Sequence, residues 1–212
     1  MSLGANDLFN EEDVDRTFIA LSSAEKISWA IVGTEIYWGS VLATLRSASN
    51  LGARTLLNFA PVPDVLQDTD ELLSKVSILC VNEVEAKALS GSTDCVESMD
   101  KLLLQVPIVI ITLGAKGAVF KSQEAPEPVF VSIPEKYKPS QIVDTTGAGD
   151  AFIGSLSYYL GKFARMDLPS ANQLREMIRR SCIIAALSIT RKGTQSSYFS
   201  RKLLPEDLFT SI

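Results

Sequence analysis

The chain has 212 residues, 46% of them hydrophobic and 21% charged, with a formal net charge of -5 and no histidine. That balance excludes intrinsic disorder and argues against a nucleic-acid surface or a polybasic membrane contact. The missing imidazole excludes Ser-His-Asp, Cys-His and histidine-zinc chemistry, so acid–base work falls to carboxylates. Cys80, Cys95 and Cys182 lack metal-ligand spacing and fit buried thiols in a reducing compartment. No apolar run reaches the roughly 18 residues of a membrane span and no secretory signal pattern opens the chain. The expectation is a soluble cytoplasmic protein, with the nucleus as an alternative location. No segment reads as a linker, which predicts one domain over residues 1–212.

Asn10 is placed to cap a helix carrying Val14, Phe18, Ile19 and Leu21, ending near Lys26. Trp29 to Val32 is a short apolar run, as in a strand buried on both faces. A helix through Val41, Leu42 and Leu45 stops at Gly52, and Thr55 to Asn58 reads as the next strand. Val76 to Val81 is a further strand, followed by a helix over Val84 to Leu89 with its stop at Gly91. Ile108 to Thr112 is the most strand-like run in the chain. Gly117 to Lys121 and Val129 to Ile133 are shorter strands joined by a turn, and the last long helix spans about Leu174 to Ile189. Alternation of this kind predicts an α/β chain with a mostly parallel sheet, helices on its faces and ligands at the strand C-termini.

The chemistry concentrates in Val143-Asp144-Thr145-Thr146-Gly147-Ala148-Gly149-Asp150-Ala151-Phe152. Two glycines flank Ala148 just before an apolar helical run, so backbone N–H groups can converge on an anion at a positive helix terminus. Asp150 there is either a plain partner of the helix dipole or a general base beside an anion pocket. A Walker A loop needs Gly-Lys-Ser/Thr, whereas Gly149 is followed by Asp150 and Ala151; a dinucleotide fingerprint fails at Phe152. Asn82 and Glu85 follow a buried strand directly. They read as a pair projecting from one helical turn at the rim, a place for a hydrated magnesium ion, or as a helix cap with an acidic first turn. Thr112-Leu113-Gly114-Ala115-Lys116-Gly117 permits close backbone approach, but an ordinary turn uses its glycines equally. Lys116 is read as solvated.

The stretch around Asp150 resembles the C-terminal signature of the ribokinase/PfkB sugar kinases, D-T-x-G-A-G-D-x-F. That resemblance implies a fold, a reaction and a set of site residues. The implied fold is the three-layer αβα, Rossmann-like arrangement of the family. The implied reaction is ATP-dependent phosphorylation of D-ribose at O-5, with Asp150 as base and the amides of Gly147, Ala148, Gly149 and Asp150 as anion hole. By the same resemblance, Asn82 of the N-x-x-E motif contacts phosphate and Glu85 helps to place Mg2+. Thr112, Gly114 and Gly117 lie against the nucleotide phosphates, and Cys182 stands where an asparagine or histidine is common near the adenine. Glu35 corresponds to a position that touches sugar hydroxyls, and the Asn58-Phe59-Ala60-Pro61 segment resembles N-P-A-P with Phe59 in place of proline. Asp144, Thr146, Ser188, Arg191, Gly193 and Ser197 map to the site of an activating K+, mostly through backbone oxygens. The implied partner is ribose or a related small sugar, without nucleic acid or membrane, and full-length relatives are expected as homodimers.

The likeness runs from Gly4-Ala5-Asn6 to Leu208-Phe209 and is closest to animal ribokinases in the Asn58, Asn82, Asp144 and Gly193 segments. The family's first strand, its sugar-binding aspartate, the G-G-x-x-x-N motif and the β-lid do not occur before Gly4. The expectation is therefore the C-terminal portion of the family fold, from a truncated product, alternative start or fragment. Adenosine, fructose or keto-sugar-acid acceptors, and a non-catalytic nucleotide-binding or dimerising fragment, are the alternatives.

Overall fold

The structure is a computed structural model that describes residues 6, 8–22, 27–64, 66–163 and 167–212. Gly4 and Ala5, where the likeness begins, and Lys26, the expected end of the first helix, lie outside the described residues. The chain's contacts group into two compact units, one of residues 1–112, 120–128 and 164–168, the other of residues 113–119, 129–163 and 169–212.

The first unit is built by alternation. Helix α1 (Glu11–Ser22) starts where Asn10 Oδ1 accepts from the Asp13 amide at 3.1 Å and Asp13 Oδ2 accepts from the Asn10 amide at 3.1 Å. Strand β1 (Trp29–Gly33) leads through α2 (Trp38–Asn50) to β2 (Arg54–Asn58). A short α3 (Thr69–Ser74) then precedes β3 (Ile78–Asn82), and α4 (Glu83–Ser90) with α5 (Cys95–Leu102) precedes β4 (Ile108–Thr112). Strands β1 to β4 pair in parallel in chain order, with Gly33 beside Asn58 and Asn82 beside Thr112. Their middles are almost wholly apolar: Leu56, Leu57, Ile78, Leu79, Ile110 and Ile111 are fully buried, as a sheet covered on both faces requires. Parallel strands cannot be joined by a tight turn, so β1, β2 and β3 each run through helical crossovers to the next strand.

β1 departs from expectation. Val32 is buried and α2 packs against the strand, but Ile31, on the opposite face, is 42% exposed. In the strand order β1 stands at the end, with β2 as its neighbour. The α/β, mostly parallel architecture read from the sequence is otherwise the one observed.

In the second unit, the start of β5 (Ala118–Ser122) neighbours β6 (Val129–Val131). Helices α6 (Ala148–Lys162) and α7 (Ala171–Ser188) pack on each other, and α7 also packs on β6. The apolar stripe Phe152, Leu156, Tyr159 and Leu160 on α6 is buried, as are Leu174, Ile178 and Ile183 on α7. The C-terminal segment is clamped to these helices. Buried Arg180 bonds Glu176 Oε1 at 2.7 Å, the Leu208 carbonyl at 3.0 Å and the Thr210 carbonyl at 2.6 Å, while Tyr159 donates its hydroxyl to Leu208 O at 3.0 Å. Arg179 and Arg180 together hold the Glu176 carboxyl down at about 2, the bond from Arg179 being the larger cause.

Candidate active site

Residues 143–147 lead into α6 through Gly147, whose φ of 81° and ψ of 3° are left-handed. An L side chain enters that region at a cost of about 1–2 kcal/mol. A Cβ at Gly147 would also stand 2.7 Å from the Tyr198 hydroxyl oxygen. The Ala148 amide donates to Thr145 O at 3.2 Å, so this member of the expected anion hole is turned into the preceding bend instead. The Ala151 amide donates to Gly147 O at 2.9 Å and closes the first helical turn. Helix geometry leaves the first-turn amides of Gly149 and Asp150 without an intrahelical acceptor. A Cβ built on Gly149 would meet no atom within 4 Å, so packing among the described residues gives no reason for a glycine there.

Asp150 is exposed beside these amides. Its Oδ2 lies 3.4 Å from the Tyr198 hydroxyl, which also lies 3.4 Å from Gly147 O. Burial, and then the charge of Asp150, push the Tyr198 phenol up, which keeps it a proton donor. Asp150 further lines an open recess of about 330 Å³ with Tyr158, Ile184, Ser188, Phe199 and Phe209.

Of the residues assigned to the monovalent cation, Asp144, Thr146 and Gly193 are joined by hydrogen bonds. Asp144 Oδ1 accepts from the Thr146 amide at 3.0 Å and Oδ2 from the Gly193 amide at 2.9 Å. Hydrogen bonds from Thr146, followed by that from Gly193, hold the Asp144 carboxyl down at about 2, so it is anionic at any ordinary pH. Ile189 O accepts from the amides of Val143 and Asp144, and the Arg191 amide donates to Ser188 O at 3.2 Å. Ser197 is buried and donates its hydroxyl to Thr194 O at 2.7 Å, whereas the Arg191 guanidinium lies over the Phe199 ring at 3.6 Å.

In the first unit, Asn82 ends β3 beside Thr112 at the end of β4. Asn82 Oδ1 accepts from the amides of Val84 at 2.8 Å and Glu85 at 2.9 Å. Glu85 Oε2 accepts from the Asn82 amide at 2.7 Å and Oε1 from Asn82 Nδ2 at 2.8 Å. The two side chains therefore do not project side by side from the rim; they close a reciprocal capping box, because the four donors at a helix start need acceptors. Glu85 is only 7% exposed, and burial pushes its carboxyl up, against the bond from the Asn82 amide. The Thr112 hydroxyl donates to Val81 O at 3.4 Å. Glu35 is exposed in the bend between β1 and α2, three positions before the helix, and its carbonyl accepts from Asn6 Nδ2 at 3.1 Å. The Thr34 hydroxyl donates to Pro61 O at 2.6 Å, tying that bend to the Asn58–Pro61 segment.

Two assignments have a packing reason of their own. Gly117 closes the Leu113–Gly117 turn, its carbonyl accepting from the Leu113 amide at 2.8 Å. Its φ is 95° and a Cβ would stand 2.1 Å from Val131 O, so β6 requires a glycine there without any nucleotide. Cys182 is buried on α7, and burial pushes its thiol up to about 12, which makes it a small apolar core group. Tyr198 was not foreseen: it stands 48 positions from Asp150, a separation no local pattern reports.

The chain resembles known proteins along most of its length. Residues 4–201 match the model of the pfkB family carbohydrate kinases. The chain is 38% identical over 212 residues to mouse ribokinase, covering 97% of this chain and 61% of that protein. It is 32% identical over 216 residues to ribokinase of Dictyostelium discoideum, covering 92% and 63%. Among solved structures, ribokinase from Giardia lamblia superposes with a TM-score of 0.79 at 27% identity, covering 93% of this chain and 64% of that one. Arabidopsis thaliana ribokinase complexed with ribose and ATP superposes with a TM-score of 0.72 at 25% identity, covering 93% and 60%. The chain thus spans about three fifths of the length of the relatives it matches. With a family match over most of its residues and a parallel α/β frame of the same build, the chain belongs to the pfkB family of carbohydrate kinases.

Proposed function

We propose that this chain carries the phosphotransfer chemistry of a ribokinase, the ATP-dependent phosphorylation of D-ribose at O-5. The observation that supports it best is the exposed Asp150 carboxylate beside first-turn amides that Gly149 leaves uncovered. A carboxylate there takes the proton of the attacking hydroxyl, while the amides of Gly149 and Asp150 meet the negative charge spread over the transferring group. Little covalent work is left for the protein. Positioning and charge stabilisation do most of it, and each developing charge needs a fixed partner.

The residues present fit both metal ions. Each Glu85 oxygen accepts a bond from Asn82 and the side chain is buried, so Glu85 suits a magnesium ion held through its water shell rather than by a direct bond. A single anionic Asp144 among backbone and hydroxyl oxygens suits a large monovalent ion such as K+, held by Thr146, Ser188, Arg191, Gly193 and Ser197. When bound, the divalent ion would neutralise phosphate charge and the monovalent ion would add positive charge near the anion pocket. Asn82 is assigned to a phosphate oxygen, Thr112 and Gly114 to the nucleotide, and Glu35 to the sugar hydroxyls.

Purified chain supplied with ATP, magnesium, potassium and ribose should release ADP in a ribose-dependent manner. Asp150→Asn should lower kcat by about 10²–10⁴-fold, the range of a lost general base. Equal turnover by that variant would refute the assignment. A second acceptor is favoured by one comparison: the chain is 29% identical over 204 residues to deoxyribokinase of Salmonella typhi. A panel of ribose, deoxyribose, fructose and adenosine separates the readings by kcat/KM. Calorimetric ATP binding without any turnover would assign the chain to nucleotide binding alone.

A further inference from the structure

Phosphotransfer as proposed employs Asp150 and the glycine turn but leaves one polar group beside them without a task. The turn through Gly193 to Ser197 delivers Tyr198 so that its hydroxyl stands 3.4 Å from both Asp150 Oδ2 and Gly147 O. A phenol has one proton and both neighbours are acceptors, so the proton is shared between them. The approach is built from both sides. Gly147 lacks the Cβ that would crowd the hydroxyl at 2.7 Å, and its left-handed backbone turns its carbonyl toward the ring. On the other side, the residues flanking Tyr198 are held: Ser197 is fully buried and bonded to Thr194 O, and Phe199 lies under the Arg191 guanidinium. Tyr198 itself is half-buried, which limits the swing of its ring.

We propose that Tyr198 is a positioning residue for phosphotransfer: its hydroxyl pins one carboxylate oxygen of Asp150 against the glycine turn and leaves the other facing the acceptor hydroxyl. The proposal rests on Asp150 being the base. A carboxylate on an exposed first helical turn has several staggered rotamers within reach, and only some present an oxygen to a given hydroxyl. One donor from a packed ring reduces that choice. The proton path is unaltered, since Tyr198 donates to Oδ2 and the acceptor's proton arrives at Oδ1.

The test is a kinetic double-mutant cycle of Tyr198→Phe and Asp150→Asn with ribose and ATP. Tyr198→Phe keeps the ring and removes the donor. It should lower kcat about three- to tenfold, the effect of one shared hydrogen bond, with KM for both substrates within about twofold and the thermal midpoint unchanged. In the Asp150→Asn background the same substitution should have no further effect on kcat, because its route runs through that carboxylate. An unchanged kcat in Tyr198→Phe, or an equal loss in both backgrounds, overturns the proposal. If wild-type chain shows no turnover, the functional reading has failed, and crystal structures decide the positioning role separately. One Asp150 rotamer in wild type and several in Tyr198→Phe supports it; the same distribution in both overturns it.

Discussion

Replacing Asn82 tests whether the start of α4 is held by the reciprocal cap. In Asn82→Ala the amides of Val84 and Glu85 lose their side-chain acceptor, at 2.8 and 2.9 Å, which costs about 1 kcal/mol for a typical cap. Glu85, 7% exposed, also loses the amide donor at 2.8 Å, and a hydrogen bond to a charged group contributes roughly 1.5–3 kcal/mol. The total is about 3 kcal/mol. Asn82→Ser keeps an N-cap oxygen of comparable quality but not the donor, so it should lose about 2 kcal/mol. Urea unfolding monitored by far-ultraviolet circular dichroism reads both. The loss must also depend on pH. Glu85's folded pKa is raised by burial above the ordinary 4.5, so as pH rises past 4.5 the unfolded state ionises first and stability falls until the folded carboxyl ionises too. Removing a donor to the charged form pushes the folded value higher and widens that window, so Asn82→Ala should be penalised less in mild acid than at neutral pH. Equal stability of the alanine and serine variants, or a penalty independent of pH, would refute the reciprocal cap. If Asn82 also meets phosphate, both variants should weaken ATP binding alike despite their different stabilities.

Gly117→Ala should cost about 3 kcal/mol or more in chemical denaturation, since a positive φ is joined by a collision with Val131 O. Gly91→Ala, at φ 71° where an added Cβ meets no described residue beyond its chain neighbours within 4 Å, should cost only about 1 kcal/mol; similar losses at the two positions would remove the packing reason given for Gly117. Glu176 and Asp144 both have folded values of about 2, below their ordinary 4.5 and 3.8. Their contributions are complete above the ordinary values and vanish as pH falls toward 2, so stability should decline over that interval. Glu176→Gln should make the decline shallower in urea titrations at successive pH values, and an unchanged slope would contradict the Arg179–Glu176–Arg180 clamp.

Much of the frame was legible because its signals are local. Apolar runs with β-branched residues, Ile108 to Ile111 above all, mark buried parallel strands, and Asn10, Gly91 and the Asn82–Glu85 pair mark helix ends by chemistry that acts within one turn. Helices α5 and α3 went unread: α5 has an Asp94 cap with buried Met99 and Leu102 at helical spacing that could have marked it, but α3 has only six residues and two apolar positions, too few to show a period. The Asp150 stretch stood out because glycines before an apolar helix expose amides wherever the chain places them.

The sequence by itself determined the strand–helix alternation and the family, and its lack of histidine turned the expectation of a general base toward a carboxylate. Only the tertiary structure decided what that carboxylate touches. Tyr198 reaches Asp150 across 48 positions, Ala148 spends its amide on Thr145, and Glu85 turns inward to its own cap. Hydrogen bonds are directional and short-ranged, so which donor meets which acceptor depends on how distant segments pack, and no spacing along the chain encodes that meeting.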